Sequence, residues 1–173
     1  MESAIDVYVS RETKEALNLS GHRLHIIEPE KQFEIGTWTI DTFPLVHDVP
    51  NIGFLLSSGD ERLLYATDTH YIAATGFEGL THIMIEINFS MEIVEANIKA
   101  PPEAPNHLKL SAAKRIMVNH MHLKTAIDFL KANDLSRVQE IHLLHLSDNN
   151  SIAKIFKSAI QSNFGKPTYI SEV

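Results

Sequence analysis

One stretch, Phe43–Asp68, constrains this chain more than any other. It reads FPLVHDVPNIGFLLSSGDERLLYATD. An apolar, strand-like run leads to His47, and a short turn follows at Asp48-Val49-Pro50-Asn51. A second apolar run, Ile52–Leu56, enters a Gly59-Asp60 turn, and a third, Leu63–Ala66, returns and stops just before Asp68. Apolar runs joined by a Gly-Asp turn predict a β-hairpin, and a hairpin brings its two ends together. His47 and Asp68 are therefore expected to be neighbours at strand ends, and both side chains are competent to bind a cation.

The other residues set limits on what such a hairpin can belong to. The chain has 173 residues, 44% of them hydrophobic and 21% charged, which suits one domain (1–173) with a real core. The net charge of −7 argues against broad electrostatic capture of nucleic acid, although a local site for one phosphate stays open. With no cysteine, disulfides and thiolate metal sites are excluded. No apolar run approaches the ~18–20 residues of a membrane span. The start, MESAIDVYVSRETKE, lacks a basic-then-apolar signal pattern. The expectation is a cytoplasmic protein with no membrane partner. Ten histidines in such a chain make metal binding or acid–base chemistry the question to ask.

In chain order, Ile5–Val9 predicts a strand, Ser10 a helix cap for Arg11–Asn18, and Gly21 the end of that helix. Leu24–Ile27 predicts a strand, and Phe33–Ile35 with Thr37–Phe43 a hairpin around Gly36. His22 and His25 are expected on the surface without partners. Ile83–Ile87 (IMIEI) is an apolar strand carrying Glu86, which either faces solvent or lines the same cleft as Asp68 with a partner. Helices are expected over Ser90–Asn97, Leu108–Val118 (with Lys109, Lys114 and Arg115), Leu123–Asn133 and Asn149–Asn163. In Leu123–Asn133 the apolar stripe is Leu123, Ile127 and Leu130, with Ala126 and Phe129 beside it. The proline-rich Ala100–Pro105 is a loop. Val138–Leu144 and Thr168–Ile170 complete the strands. Hairpins early and strand–helix alternation late predict a mixed α/β layered domain.

Four metal-competent residues, His47, Asp68, His120 and His145, fall just beyond an apolar strand or at a helix entry. A lone histidine in such a place is more often structural. Strand C-terminal edges are, however, where layered α/β folds build sites, so four in matching positions point to one cleft.

These segments, LVHDVPNIGFLL, LLYATDTHYI, IMIEINFS, VNHMHLKTAIDFLKAN and IHLLHLSDNNS, resemble the metallo-β-lactamase superfamily, and within it the YycJ-like predicted nucleases. The resemblance covers nearly the whole chain and implies an αββα sandwich. It implies that His47, Asp68 and His145 are metal ligands, with Asp68 shared between up to two Zn or Mn ions. His120 matches a histidine that contacts the scissile phosphate, and Glu86 and Asn88 match a Glu-x-Asn segment beside it. The implied activity is metal-dependent hydrolysis of a phosphodiester or another small molecule. Nucleic acid is a possible substrate that the charge does not indicate.

Two departures qualify this resemblance. The family's His-x-His-x-Asp-His motif, which lies ahead of the segment beginning here with IDVYV, is absent from this chain. The resemblance then implies an N-terminally truncated fold, an incomplete metal site and an exposed surface through which the chain self-associates as a homo-oligomer. His70 stands where the subgroup has glycine, and His122 where it has a small residue; either is a candidate substitute ligand or a plain surface side chain. Two other readings compete with the hydrolase. One is a non-catalytic remnant of the fold serving as a binding or oligomerisation module. The other is an unrelated α/β domain, in which the four residues would lie scattered.

Overall fold

A computed structural model describes residues 5–171. Two sheets are present among them: a parallel pair, β1 (Val7–Ser10) and β2 (Leu24–Ile27), and a seven-stranded sheet. The large sheet runs in simple chain order through β3 (Gln32–Ile35), β4 (Trp38–Leu45), β5 (Asn51–Ser58), β6 (Glu61–Ala66), β7 (His82–Glu86), β8 (Glu140–Leu144) and β9 (Thr168–Ile170). The strands β3 to β6 are antiparallel; β6 to β9 are parallel.

That change of direction follows from the connections. Two-residue turns close the β3–β4 and β5–β6 hairpins, while the longer loop of residues 46–50 joins β4 to β5, and Gly59, at φ +56°, supplies the left-handed backbone that the β5–β6 turn requires. Phe43 pairs with Gly53 across β4 and β5, and its ring occupies the place a Cβ on Gly53 would take, so glycine is required there by contact. Parallel neighbours need crossovers. These carry α2 (Met91–Lys99), α3 (Leu110–Asn119) and α4 (Leu123–Lys131) between β7 and β8, and α5 (Ala153–Phe164) between β8 and β9.

One face of the sheet is closed. Leu64, Ile83, Ile85, Ile141 and Leu143 alternate onto it, and Ala126, Leu130, Phe156 and Ile160 of α4 and α5 cover them. The buried stripe of α4 is Ala126, Phe129 and Leu130, whereas Leu123 and Ile127 lie at its margin. A second cluster, Phe89, Val94 and Ala113, joins α2 to α3. The opposite face is partly open. There Phe33, Ile35, Phe54, Leu56, Leu63 and Tyr65 border an apolar hollow of about 320 Å³. Tyr8 of β1 reaches it and stacks on Phe33 with ring centres 5.6 Å apart.

Three expectations change. The first helix, α1 (Arg11–Ala16), ends at Leu17 rather than running on toward Gly21, although Ser10 does cap it through Thr13 N–H at 3.1 Å. The last helix begins at Ala153, not Asn149. Residues 149–150 are drawn away from it, because the Asn97 amide donates to the Asn149 carbonyl at 2.7 Å and Ser90 N–H to the Asn150 carbonyl at 3.1 Å. His25 is exposed but has a partner, Asp6, at 3.0 Å. No helix among the described residues is long and apolar enough to cross a membrane.

Candidate metal centre

The site forms where the C-terminal ends of β4, β6, β7 and β8 come together. His47 leaves β4, Asp68 leaves β6, Glu86 ends β7 and His145 leaves β8. His120 arrives separately, as the residue that closes the C-terminus of α3. The four residues expected to share a cleft do share one, and Glu86 is at its floor.

Two groups of donor atoms overlap here, each with its members within 4.8 Å of one another: His47, Asp68 and His120 in one, and Glu86, His120 and His145 in the other. His145 Nδ1 lies 3.1 Å from Asp68 Oδ1 and 3.3 Å from Glu86 Oε1. Yet this buried nitrogen makes no aligned hydrogen bond with either. Asp68 and His145 also share an uncommon backbone, at φ +53° and +52°. Non-glycine residues held in the left-handed region need support from their surroundings. Asn51 supplies it for Asp68, its amide donating to the carbonyls of Thr67 and Asp68 at 2.9 Å each. Asn88 supplies it for His145, donating to the His145 carbonyl at 2.7 Å.

Glu86 is fully buried, which resolves the two readings of its strand in favour of the cleft. A buried carboxylate needs partners. Oε2 accepts Thr69 N–H at 2.7 Å and Oε1 meets His120 Nδ1 at 2.7 Å. Burial pushes the Glu86 carboxyl up, but His120, His145 and the Thr69 amide together outweigh burial and hold it below the ordinary carboxylate range. The contact with Glu86 in turn raises His145, against the opposing effect of its own partial burial.

An outer ring of polar residues fixes these groups. Asp48 Oδ1 lies 2.8 Å from His47 Nδ1, and Asp48 N–H donates to the Asn119 side chain at 3.2 Å. The Thr69 hydroxyl accepts Val46 N–H at 3.0 Å, tying the end of β4 to the loop after β6. Asn51, Asp48, Thr69 and Asn119 were not singled out by sequence reasoning. Asn51 and Asp48 stand in the turn already marked as important, and Thr69 directly follows Asp68, so proximity in sequence was their only signal. Asn88 sits in this supporting ring, with its amide engaged by backbone.

His70 and His122 join neither group of donor atoms. His70 packs edge-on against Tyr71, ring centres 5.6 Å apart. His122 caps α4, its Nδ1 accepting Lys124 N–H at 3.0 Å, a role that requires the neutral ring. Burial accordingly pushes His122 below the ordinary histidine range.

The donor set fits a metal ion. It is all imidazole and carboxylate, three donors meet in each group, and His145 carries a buried ring nitrogen between two carboxylates with no aligned hydrogen-bond partner. Secured outer nitrogens, as at His47 and His120, are the usual way that ligand rings are oriented.

Comparison with known proteins agrees with this architecture. A family model described as a beta-lactamase superfamily domain matches residues 2–143. No curated protein sequence matches significantly. Among solved structures, the metallo-beta-lactamase fold protein YhfI from Bacillus subtilis superposes with a TM-score of 0.67 at 15% identity, covering 96% of this chain and 62% of that one. Zn(2+)-bound PqqB from Methylobacterium extorquens gives 0.61 at 10% identity, over 95% of this chain and 62% of that one. A diphosphatase from the PhnP family gives 0.57 at 11% identity, over 98% and 56%. The chain therefore spans less than two thirds of the length of these structures.

Proposed function

The chain belongs to the beta-lactamase superfamily, and on that premise we propose that it is the site-bearing part of a metal-dependent hydrolase acting on phosphodiesters, of the YycJ-like kind. The observation that supports this most is the convergence of His47, Asp68, Glu86, His120 and His145 on one strand-end cleft.

His47, Asp68 and His145 would hold Zn or Mn, which when bound supplies a Lewis acid and makes water more acidic. Glu86 holds His120 Nδ1 at 2.7 Å, leaving the other ring nitrogen to meet substrate. From there His120 donates to a phosphate oxygen or to the leaving group. Asn88 keeps His145 in place through its backbone. Each donor group includes His120, so with His120 turned to substrate each falls to two donors, short of a full ligand set. We propose that further ligands come from outside the described residues, from another segment or a second copy. Self-association through the open apolar face is part of this reading; a monomer by light scattering would argue against it.

The test is metal content after Zn or Mn addition, with hydrolysis of bis-p-nitrophenyl phosphate. Stoichiometric metal and turnover are expected. Asp68→Ala should abolish turnover and weaken metal binding beyond the ~10–100-fold typical of losing an outer-ring partner. The two-donor groups left when His120 faces substrate also favour a second reading, a non-catalytic module with the same cleft. Absence of metal and turnover even with excess Zn or Mn would select it.

A further inference from the structure

Two hollows flank the His120–His145 pair. The larger, about 990 Å³, is lined by Asn88, Leu146, Ser147, Asp148 and Ser151 among others. The smaller, about 400 Å³, is lined by His47, Asp68, Arg115, Ile116 and Asn119. Both include Ile116, His120 and His145, so a ligand centred on those rings would extend one arm into each.

The electrostatics of this arrangement are lopsided. Asp48, Asp68, Glu86 and Asp148 crowd the cleft of a chain whose net charge is already −7. Among the described residues lining either hollow, Arg115 is the one lysine or arginine. Its place follows from helix periodicity. Ala112, Arg115, Ile116 and Asn119 recur at three- and four-residue spacing, and all four line the smaller hollow, whereas Lys109 and Lys114 of the same segment line neither. The wall that carries Arg115 is fixed, since buried Asn119 on the next turn accepts Asp48 N–H. The Arg115 side chain is largely free, 76% exposed, with Asp48 Oδ2 at 3.6 Å as its ion-pair partner. A pair so exposed is weak, and a phosphate oxyanion competes well for a guanidinium, whose fork matches two of its oxygens at a time.

We infer that Arg115 is the anion anchor of this cleft, gripping a phosphate group of the ligand from the small-hollow side while His120 faces it from the other. This rests on the phosphodiesterase reading for its substrate, but the anchor is readable without turnover. It makes Arg115 a specificity residue: it favours ligands carrying a phosphate over neutral esters of the same size.

The test titrates inorganic phosphate into the full chain by calorimetry, with and without Mn, and measures KM and kcat for bis-p-nitrophenyl phosphate. The variants are Arg115→Ala, Arg115→Lys, Lys114→Ala and Asp48→Asn. Arg115→Ala should raise the phosphate Kd about tenfold or more, the loss expected for a charge-assisted bidentate contact. Arg115→Lys should recover part of that, keeping the charge without the fork. Lys114→Ala should match wild type, and in the titration without Mn, where the support Asp48 gives His47 does not enter, Asp48→Asn, which releases the guanidinium, should bind phosphate at least as tightly. In turnover, Arg115→Ala should raise KM with kcat little changed. The proposal is overturned if wild type binds no phosphate, if Arg115→Ala leaves Kd and KM unchanged, or if Lys114→Ala weakens binding equally. It is also overturned if, without Mn, Asp48→Asn weakens phosphate as much as Arg115→Ala, because Arg115 would then act through Asp48 rather than on the anion. Arg115-dependent phosphate binding without any hydrolysis supports the anchor while rejecting the hydrolase reading; hydrolysis with a KM indifferent to Arg115 does the reverse.

Discussion

Two carboxylate–histidine pairs in this molecule have nearly the same chemistry and opposite surroundings. Asp6 and His25 meet at 3.0 Å on the small sheet, where both side chains are close to half exposed. Glu86 and His120 meet at 2.7 Å on the floor of the cleft, where Glu86 has no exposure at all. The first pair competes with water and salt at every moment. The second has no water to fall back on, so it is sustained by an additional amide, from Thr69, and by a second imidazole, from His145. Contact distance alone does not distinguish a site from a surface pair; the number of partners a buried charge has recruited does.

The sharpest way to break this contrast is to delete each acid. Glu86→Ala should destabilise the chain by about 3–5 kcal/mol in urea unfolding, the usual cost of removing one member of a buried charged pair and stranding the other. If Glu86→Ala unfolds no more easily than wild type, the network is not the keystone of the cleft. A double-mutant cycle sharpens the point. Glu86 and His120 should couple strongly, so that His120→Ala costs much less in the Glu86→Ala background, whereas Asp6 and His25 should show coupling indistinguishable from zero.

Asn88→Ala should come next, at about 1 kcal/mol, because it removes the donor from the partly buried His145 carbonyl. Thermal unfolding of the chain without added metal reads this effect apart from any ligand loss. Asp6→Ala should have the smallest effect, a slight fall of the unfolding midpoint at neutral pH. The hydrogen bond from His25 holds the Asp6 carboxyl below its ordinary value of 3.8. Its contribution is therefore present above that value and lost as pH falls through the depressed one. Any difference between Asp6→Asn and wild type should therefore be slight, present at neutral pH, and gone once the pH falls below the depressed value; a difference that grows in acid would break this account.

Much of the architecture was legible from local pattern. The Gly59-Asp60 hairpin, the strand–helix alternation of the second half and the strand-end positions of His47, Asp68 and His145 follow from periodicity and turn chemistry. What local pattern left open was decided by distant segments. Glu86 ends a strand whose alternation does not say what crosses its tip; it is the loops at residues 69, 120 and 145 that bury it. The Asp6–His25 pair escaped notice because it depends on the parallel register of β1 on β2, which neither strand carries by itself. The expected start of the last helix at Asn149 failed for a related reason: its asparagines have better partners on Asn97 and Ser90 than a helix would offer them. His122 was weighed as a ligand, but its ring is committed to the first turn of α4.

The long crossover between β7 and β8 has a consequence for how the protein is made. His47 and Asp68 emerge early, just beyond the ends of β4 and β6, which flank β5 in the sheet. His145 belongs to β8, separated from Glu86 by three helices, and nothing nearer in the chain stands in for it. Contacts between residues so far apart are costly in loop entropy and form late. On the ribosome the cleft therefore exists first as a half-site of one histidine and one aspartate, with Glu86 still waiting for both of its imidazoles. A chain released before residue 145 would hold an acidic, unpaired pocket, and such an intermediate is the form most exposed to aggregation and proteolysis.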